Sequence, residues 1–423
     1  MTTRTSTPPA AAGGPVPASA WGSARLLAGT TQGRVDLTRH RAVHGMPRLP
    51  DAAGLARMLG AVHLLGRGGA GFPVATKLRG MRTGARAHVL VNGSEGEPAS
   101  RKDRALLSLA PHLVLDGALA IARALETEQV TVVVADPAAY DSLAVSLRER
   151  PDARSVRLVP HDQGFVAGEV RSVVRALSGG PAVPPGRRTL PTEHGIDGRP
   201  TFASNAETFA QIALVLTLGV EEYAAVGTPE EPGTTLLTLL GDVPRAGVVE
   251  VPTGLPLAAL VGAGHGEAAP VLVGGYHGTW VAGPGDLTVS RPALRQAGVP
   301  LNAGVLARLP QGTCALGEVA TVAAWLASES SGQCGPCYFG LPSVADALVQ
   351  LAAGRLTTEE VRRRAGLLPG RGACAHPDGA AAFVASALPV LEAEIAVHRA
   401  HGHCGRPLLG ALPTTDPTPR RAA

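Results

Sequence analysis

Gly66-Arg67-Gly68-Gly69-Ala70-Gly71-Phe72-Pro73 with Lys77, and then Asn92-Gly93-Ser94-Glu95-Gly96-Glu97-Pro98 with Arg101-Lys102-Asp103-Arg104, are the stretches on which the reading of this chain turns. The first has four glycines in six residues. Without Cβ atoms, such a loop lets backbone N–H groups converge on an anion. Alone it also fits an ordinary tight turn; Lys77 and the acidic loop beyond the next strand tip the balance. The chain has only two lysines, Lys77 and Lys102, one in each stretch. An ammonium is a compact point charge that suits a phosphate or a carboxylate. Glu95 and Glu97 flank Gly96. In an extended segment they point the same way and are placed to hydrogen-bond ribose or amide groups. The plainer alternative is a solvated acidic turn balanced by Arg101, Lys102 and Arg104.

Working outward, residues 51–65 read as an amphipathic helix with Leu55, Leu59 and Val62 on one face. His88-Val89-Leu90-Val91 reads as a strand that delivers Asn92. A helix over 111–125, a buried strand over 130–135 and a strand over 155–159 continue the alternation, which predicts an α/β domain. Ligands in such sheets bind beyond the carboxyl ends of the strands, where both loops fall. A Pro/Gly/Arg-rich loop covers 179–200, and 205–218 returns to helix. From Thr234 the texture changes to short β segments (234–240, 248–251, 271–273) with a small helix at 255–261. Residues 319–401 read as all-helical and hold three of the five cysteines. The expected organisation is a disordered arm (1–40), an α/β domain (41–230), a β module (231–305), a helical domain (306–404) and a disordered tail (405–423).

The whole chain sets bounds on function. At 423 residues, with 45% apolar and 17% charged residues, it is long and apolar enough for folded cores. Gly 53 and Pro 36 predict many turns. A net charge of +4, dispersed arginines and 3% aromatics argue against a nucleic-acid platform. No apolar run reaches the roughly 18–20 residues of a membrane span. Residues 1–20 carry no apolar core of a signal peptide. Five cysteines, an odd number with one Cys-x-x-Cys, fit reduced thiols or metal ligands in the cytoplasm.

Cys334-Gly335-Pro336-Cys337 precedes a helix, and Cys374 follows. A Cys-x-x-Cys knuckle presents two thiolates to zinc or to an iron–sulfur cluster, which usually takes four. Ser331, three residues before Cys334, offers an oxygen in the missing place. A redox disulfide or two buried thiols is the alternative. Cys314 reads as a structural thiol, and His401-Gly402-His403-Cys404 as a frayed helix end despite its metal-site look.

In these motifs the chain resembles the NADH-binding flavoprotein of respiratory complex I and its diaphorase relatives in hydrogenases and formate dehydrogenases. The resemblance spans about 55–400. It rests on the glycine loop, the acidic loop, Gly168-Glu169, Pro200-Thr201 through Asn205-Ala206-Glu207-Thr208, and Glu329 through Cys337. It implies a Rossmann-like FMN domain, a β-grasp module of the soluble-ligand-binding type, and a C-terminal helical bundle with a 4Fe-4S cluster. By resemblance, Gly66, Arg67, Gly68 and Lys77 hold FMN; Asn92 and Glu95 line it; Gly168, Glu169, Asn205 and Thr208 close the other side. Glu97 faces the nicotinamide of NADH, and Phe72 stacks on the nucleotide. Cys334, Cys337 and Cys374 hold the cluster; Ser331 stands where the family has its first cluster cysteine, and either ligates as the fourth donor or leaves a three-iron site or none. Hydride passes from NADH to the flavin, and electrons leave through the cluster. The implied partner is a ferredoxin-like electron-transfer protein or a membrane reductase module.

The chain also departs from the family pattern. Ser94 replaces an aspartate, Val170 a glutamate, Ser204 an asparagine, Leu78 an aromatic, and a further aromatic is lost near Leu190. Each lost stacking partner weakens nucleotide binding by roughly 0.5–1.5 kcal/mol. The pattern therefore retains FMN better than NADH. It leaves room for a ferredoxin-linked flavoprotein with weak NADH binding, or for a non-catalytic assembly protein.

Overall fold

The computed structural model describes residues 17–84, 86–162, 164–186, 190–262 and 270–415. The first strand, β1 (Ala18–Ala20), belongs to a sheet completed much later in the chain. The α/β domain is built on β2 (His88–Gly93), β3 (Val130–Val134), β4 (Arg157–Pro160) and β5 (Thr201–Asn205), all parallel in the order β4-β3-β2-β5. The run Val-Thr-Val-Val-Val of β3 is buried throughout, as a parallel strand covered on both faces must be. Val89 and Val91 of β2 enter the large core under the helices Pro111–Ala124 and Ala206–Leu218. Leu90 enters a smaller core on the other face with Val173 and Val174 of the helix Val170–Leu177. The chain steps outward from β2 to β4, then returns to the far side of β2 with β5. The direction of winding thus reverses between β2 and β5, which opens a crevice at their carboxyl ends.

The second sheet contains β6 (Thr234–Gly241), β7 (Gly247–Pro252), β8 (Val271–Val273), β9 (Thr279–Val281) and β10 (Val305–Arg308), in the order β1-β7-β6-β10-β8-β9. β6 and β7 form an antiparallel hairpin, and β10 runs parallel to β6 at the centre. One face packs under the small helix Leu257–Val261. The other presents Leu272, Val305 and Ala307 to the helical domain. That domain comprises Ala315–Ser328, a π-turn at Pro336–Gly340, Leu341–Ala352, Thr358–Gly366, His376–Val390 and Glu392–His401. Among the described residues no single helix is long and apolar enough to cross a membrane.

The structure corrects four of the expected boundaries. Residues 17–40 are not a disordered arm. β1 pairs with β7, Leu26 and Leu27 are buried, and the buried Glu250 carboxylate accepts the N–H groups of Arg25, Leu26 and Leu27 at 3.0, 2.8 and 2.9 Å. The helix Leu37–His44 is then held by Asp116, which accepts from His40 at 2.8 Å and Arg41 at 2.6 Å. Residues 1–16 lie outside the described part. The β module does not end at 305, because its central strand β10 occupies 305–308. The start of the predicted tail packs back as well. The N–H groups of Leu409 and Ala411 reach Thr313 and Glu318 at 3.2 and 3.1 Å, Leu412 is buried, and the Tyr276 hydroxyl donates to the Pro413 carbonyl at 2.6 Å. The first predicted helix, 51–65, is shorter: it runs Ala52–Ala61 and stops where His63 takes a positive φ of 48°.

Candidate active site

A cavity of about 600 Å³ opens at the crevice between β2 and β5. Its walls include Gly68 and Gly69 of the glycine loop, the strand ends Asn92 and Asn205, and Glu95 and Glu97 of the acidic loop. The β module adds His277 and Asn302, and the helical domain adds Cys374 and His376.

Hydrogen bonds fix these walls. Asn92 donates through Nδ2 to the Gly168 carbonyl at 2.9 Å and accepts the Ser94 N–H at 3.1 Å, so the acidic loop is tied to the segment carrying Gly168 and Glu169. Glu169 caps the helix Val170–Leu177 and pairs with Arg171 at 2.9 Å; both residues line the cavity. Asn205 caps the helix Ala206–Leu218 by accepting from Thr208, and its Nδ2 donates to Asp103 at 3.3 Å. The Thr208 hydroxyl also accepts the Arg67 N–H at 2.9 Å, which moors the glycine loop to that helix.

The two glutamates diverge. Glu95 turns toward the α/β domain and accepts from the Ser100 hydroxyl at 2.6 Å and from the Asp103 and Arg104 N–H groups at 3.2 and 3.1 Å. Burial and then the neighbouring Asp103 push its pKa up. Glu97 turns toward the β module and accepts the Tyr276 N–H at 2.9 Å; burial pushes its pKa up to about 8. Gly275 has φ of 85°, and a Cβ there would lie 2.7 Å from Glu97, so only glycine lets this loop close on the carboxyl. The solvated acidic turn considered from sequence is therefore excluded.

The lysines exchange the importance assigned to them from sequence. Lys102 lines the cavity, with Nζ 2.9 Å from Asp103 and 3.3 Å from Glu207. Burial works against its charge, but Asp103, Glu207 and Glu95 outweigh it and raise the pKa. Lys77 stands outside the cavity wall. Val74, Ala75 and Leu78 of its helix turn inward, and Nζ donates to the Ala203 carbonyl at 2.9 Å. Gly66 and Phe72 are also outside the wall: the Gly66 N–H donates to the Phe72 carbonyl at 2.9 Å, and Phe72 is 49% exposed. Arg67 borders the cavity, yet its guanidinium is committed to Glu231 and, at 3.8 Å, to Glu207. Thr208 is fully buried behind Asn205 and acts by positioning.

Sequence reasoning missed a wall of rings. His277 Nε2 and His376 Nδ1 are 3.1 Å apart, and the Phe165 ring centre lies 4.6 Å from that of His277, edge-on, and 5.4 Å from that of His376, tilted. Burial holds His277 well below its ordinary pKa and lowers His376 to about 4. The visible signal was His376, two residues after a singled-out cysteine. Nothing local marks His277.

Cys374 lies on this same wall. Cys334, Cys337 and Cys374 are mutual electrostatic neighbours, and burial raises the pKa of Cys337 and of Cys374. The Cys337 and Tyr338 N–H groups donate to the Cys334 carbonyl at 3.0 and 2.9 Å, which forms the knuckle. None of the five cysteines is in a disulfide. Ser331 is half-buried in the segment leading into the knuckle. Three converging thiols fit an iron–sulfur site in donor chemistry. The cavity fits a polar ligand: Ser94 Oγ, on its wall, is buried without a hydrogen-bond partner among the described residues.

Residues 59–214 match the Nuo51 FMN-binding domain family, and residues 317–398 match the NADH-ubiquinone oxidoreductase-F iron-sulfur binding region. The F component of the NADH-quinone oxidoreductase of Mycobacterium tuberculosis is 28% identical over 379 residues, which cover 81% of this chain and 83% of that protein. The alpha component of the NAD-reducing hydrogenase HoxS of Cupriavidus necator is 32% identical over 229 residues, 49% of this chain and 38% of that one. A solved NAD+-reducing nickel–iron hydrogenase, in its air-oxidised state, matches with a TM-score of 0.75 and 27% identity over 85% of this chain. This chain spans 65% of that solved chain.

Proposed function

The chain belongs to the family of NADH-binding flavoproteins that serve complex I and NAD-linked hydrogenases, and from that premise we propose that it passes electrons from NADH through FMN to an iron–sulfur cluster and on to a partner protein. One observation carries this reading: a single cavity has the strand ends Asn92 and Asn205 on one wall and Cys374 on another. Asn92, Glu95, Gly168, Glu169 and Asn205 would hold the flavin, with Gly68 and Lys102 at its anionic end. Cys334, Cys337 and Cys374 would hold the cluster, with Ser331 at the fourth position. When bound, FMN supplies the conversion of a two-electron hydride into single electrons.

The chain's own residues set the conditions. Glu97, with its pKa near 8, is mostly protonated at neutral pH and offers an O–H to a nicotinamide carboxamide. His277 and His376 stay neutral, so the ring wall beside Cys374 adds no imidazolium charge to the cavity. Beyond Cys337, Tyr338 and Phe339 are 59% and 72% exposed, a surface suited to a partner protein. That partner is a ferredoxin-like protein or a membrane reductase module, met at the cytoplasmic face.

A second reading, a ferredoxin-linked flavoprotein with weak NADH affinity, is favoured by Phe72 standing outside the cavity and by Ser94, Val170 and Ser204. An anaerobic NADH titration decides, with absorbance and electron paramagnetic resonance followed together after flavin, iron and sulfide are counted. Flavin bleaching with a reduced-cluster signal supports the proposal. A flavin reduced by dithionite but not by NADH supports the second reading, and protein without flavin overturns both.

A further inference from the structure

The cysteines outside the cluster site are not idle. Cys314 Sγ, Glu394 Oε1, His398 Nε2 and Cys404 Sγ converge at the far side of the helical domain, with one ligand atom of each residue within 4.8 Å of the others. Cys314 Sγ is 3.4 Å from His398 Nε2 and 3.4 Å from Glu394 Oε1, and those two are 3.7 Å apart. Zinc bonds of about 2.3 Å to sulfur and 2.0–2.2 Å to nitrogen and oxygen give a tetrahedron with edges of roughly 3.3–3.8 Å. The three measured separations have that size.

Supporting contacts orient each donor. His398 Nδ1 is 2.6 Å from the Ala352 carbonyl, so Nδ1 carries the proton and the lone pair of Nε2 faces the cysteines. Glu394 accepts the Leu316 N–H at 2.9 Å, and its second oxygen takes Arg406. Cys314 caps the helix Ala315–Ser328 and accepts the Gly317 N–H at 3.3 Å, which fixes the direction of its Sγ. Glu394 and His398 are four apart on one face of Glu392–His401. Gly402, at φ 77°, then turns the chain so that Cys404 closes the set.

We propose that Cys314, Glu394, His398 and Cys404 form a closed structural zinc site, independent of the flavin and cluster reading. Two thiolates, an imidazole and a carboxylate with no open position are the donor set of structural zinc rather than of a hard cation. Two thiolates and one carboxylate against Zn²⁺ leave one negative charge, which Arg406 offsets. The site pins the last helix and the following segment to the start of Ala315–Ser328. It stands at the opposite end of that 14-residue helix from Ser331, about 21 Å along its axis at 1.5 Å per residue.

The test uses the full chain, purified anaerobically and dialysed against a chelator, with zinc and iron counted together. About one zinc per chain is expected, falling below roughly a tenth in His398→Ala and in Cys404→Ser, with iron and flavin content unchanged. Because a variant can fail to fold, cobalt substitution of the unaltered chain is the second measurement. Ligand-field bands of a tetrahedral, thiolate-bound cobalt support the site. Sub-stoichiometric zinc together with absence of those bands overturns it, as does a Cys314–Cys404 disulfide in the freshly isolated protein.

Discussion

Asn92 and Asn205 stand opposite each other in register, at the carboxyl ends of the parallel neighbours β2 and β5. That pairing places two amides where the winding of the sheet reverses, and each binds a different neighbouring segment. Asn92 holds the segment of Gly168 and Glu169, whereas Asn205 holds Asp103 and the first turn of the helix behind it. The cavity is framed by one strand pairing.

This framing separates two roles of Asn205. Asn205→Ala removes a helix cap, costing about 1 kcal/mol, and releases Asp103. Melting temperature and flavin-to-protein ratio should both fall. Asn205→Ser retains a cap, so the melting temperature should recover while flavin retention does not. Recovery of both would reduce Asn205 to a cap alone.

Glu97 gives a pH signature. Its pKa rises from an ordinary 4.5 to about 8 through burial. The unfolded chain therefore ionises first as pH rises, and the folded state loses stability between those values. Glu97→Gln keeps the acceptor for the Tyr276 N–H and removes the titration. The flavin-free variant should match the parent near pH 4 and melt above it at pH 8.5. An equal difference at both pH values would show that Glu97 does not titrate in the folded state as assigned.

Asp116 is the anchor of the N-terminal helix. It is buried, and it binds His40 at 2.8 Å, Arg41 at 2.6 Å and Arg150 at 2.6 Å. Burial opposes its charge, but these partners win and hold its pKa far below the usual carboxylate range. Its contribution is present above an ordinary carboxyl pKa and fades only in strong acid. Asp116→Ala strands buried cations and should cost about 3–5 kcal/mol in urea unfolding, with early proteolytic release of residues 17–44. A loss under about 1 kcal/mol would mean solvent replaces the carboxylate at no cost.

The α/β core was legible because its signals are local. Strands such as Val130–Val134 are apolar throughout, and caps such as Asn205 precede apolar helices. The two loops were legible because glycine and paired glutamates are unusual in composition. The ordered arm was not, because its stability comes from Glu250, which lies 223 residues beyond Leu27 in the chain. Lys102 was seen but undervalued, because its partner Glu207 approaches only through the fold. The same is true of the His277–His376 pair and of Cys314 with Cys404: His376 and the His401–Cys404 stretch stand out in the sequence, but His277 and Cys314 do not, and only tertiary packing makes each pair.

Ser331 tests the cluster reading most directly. Cys334, Cys337 and Cys374 supply three thiols, and the family pattern puts a fourth where this chain has serine. An alkoxide is a harder and more basic ligand than a thiolate, so it would hold iron less durably and shift the cluster potential. Ser331→Cys should therefore raise iron and sulfide per chain and lengthen the cluster's lifetime in air. Flavin content should not change, because Ser331 does not line the cavity. Iron content and lifetime equal to the parent would place Ser331 outside the coordination sphere and leave a site of three thiols.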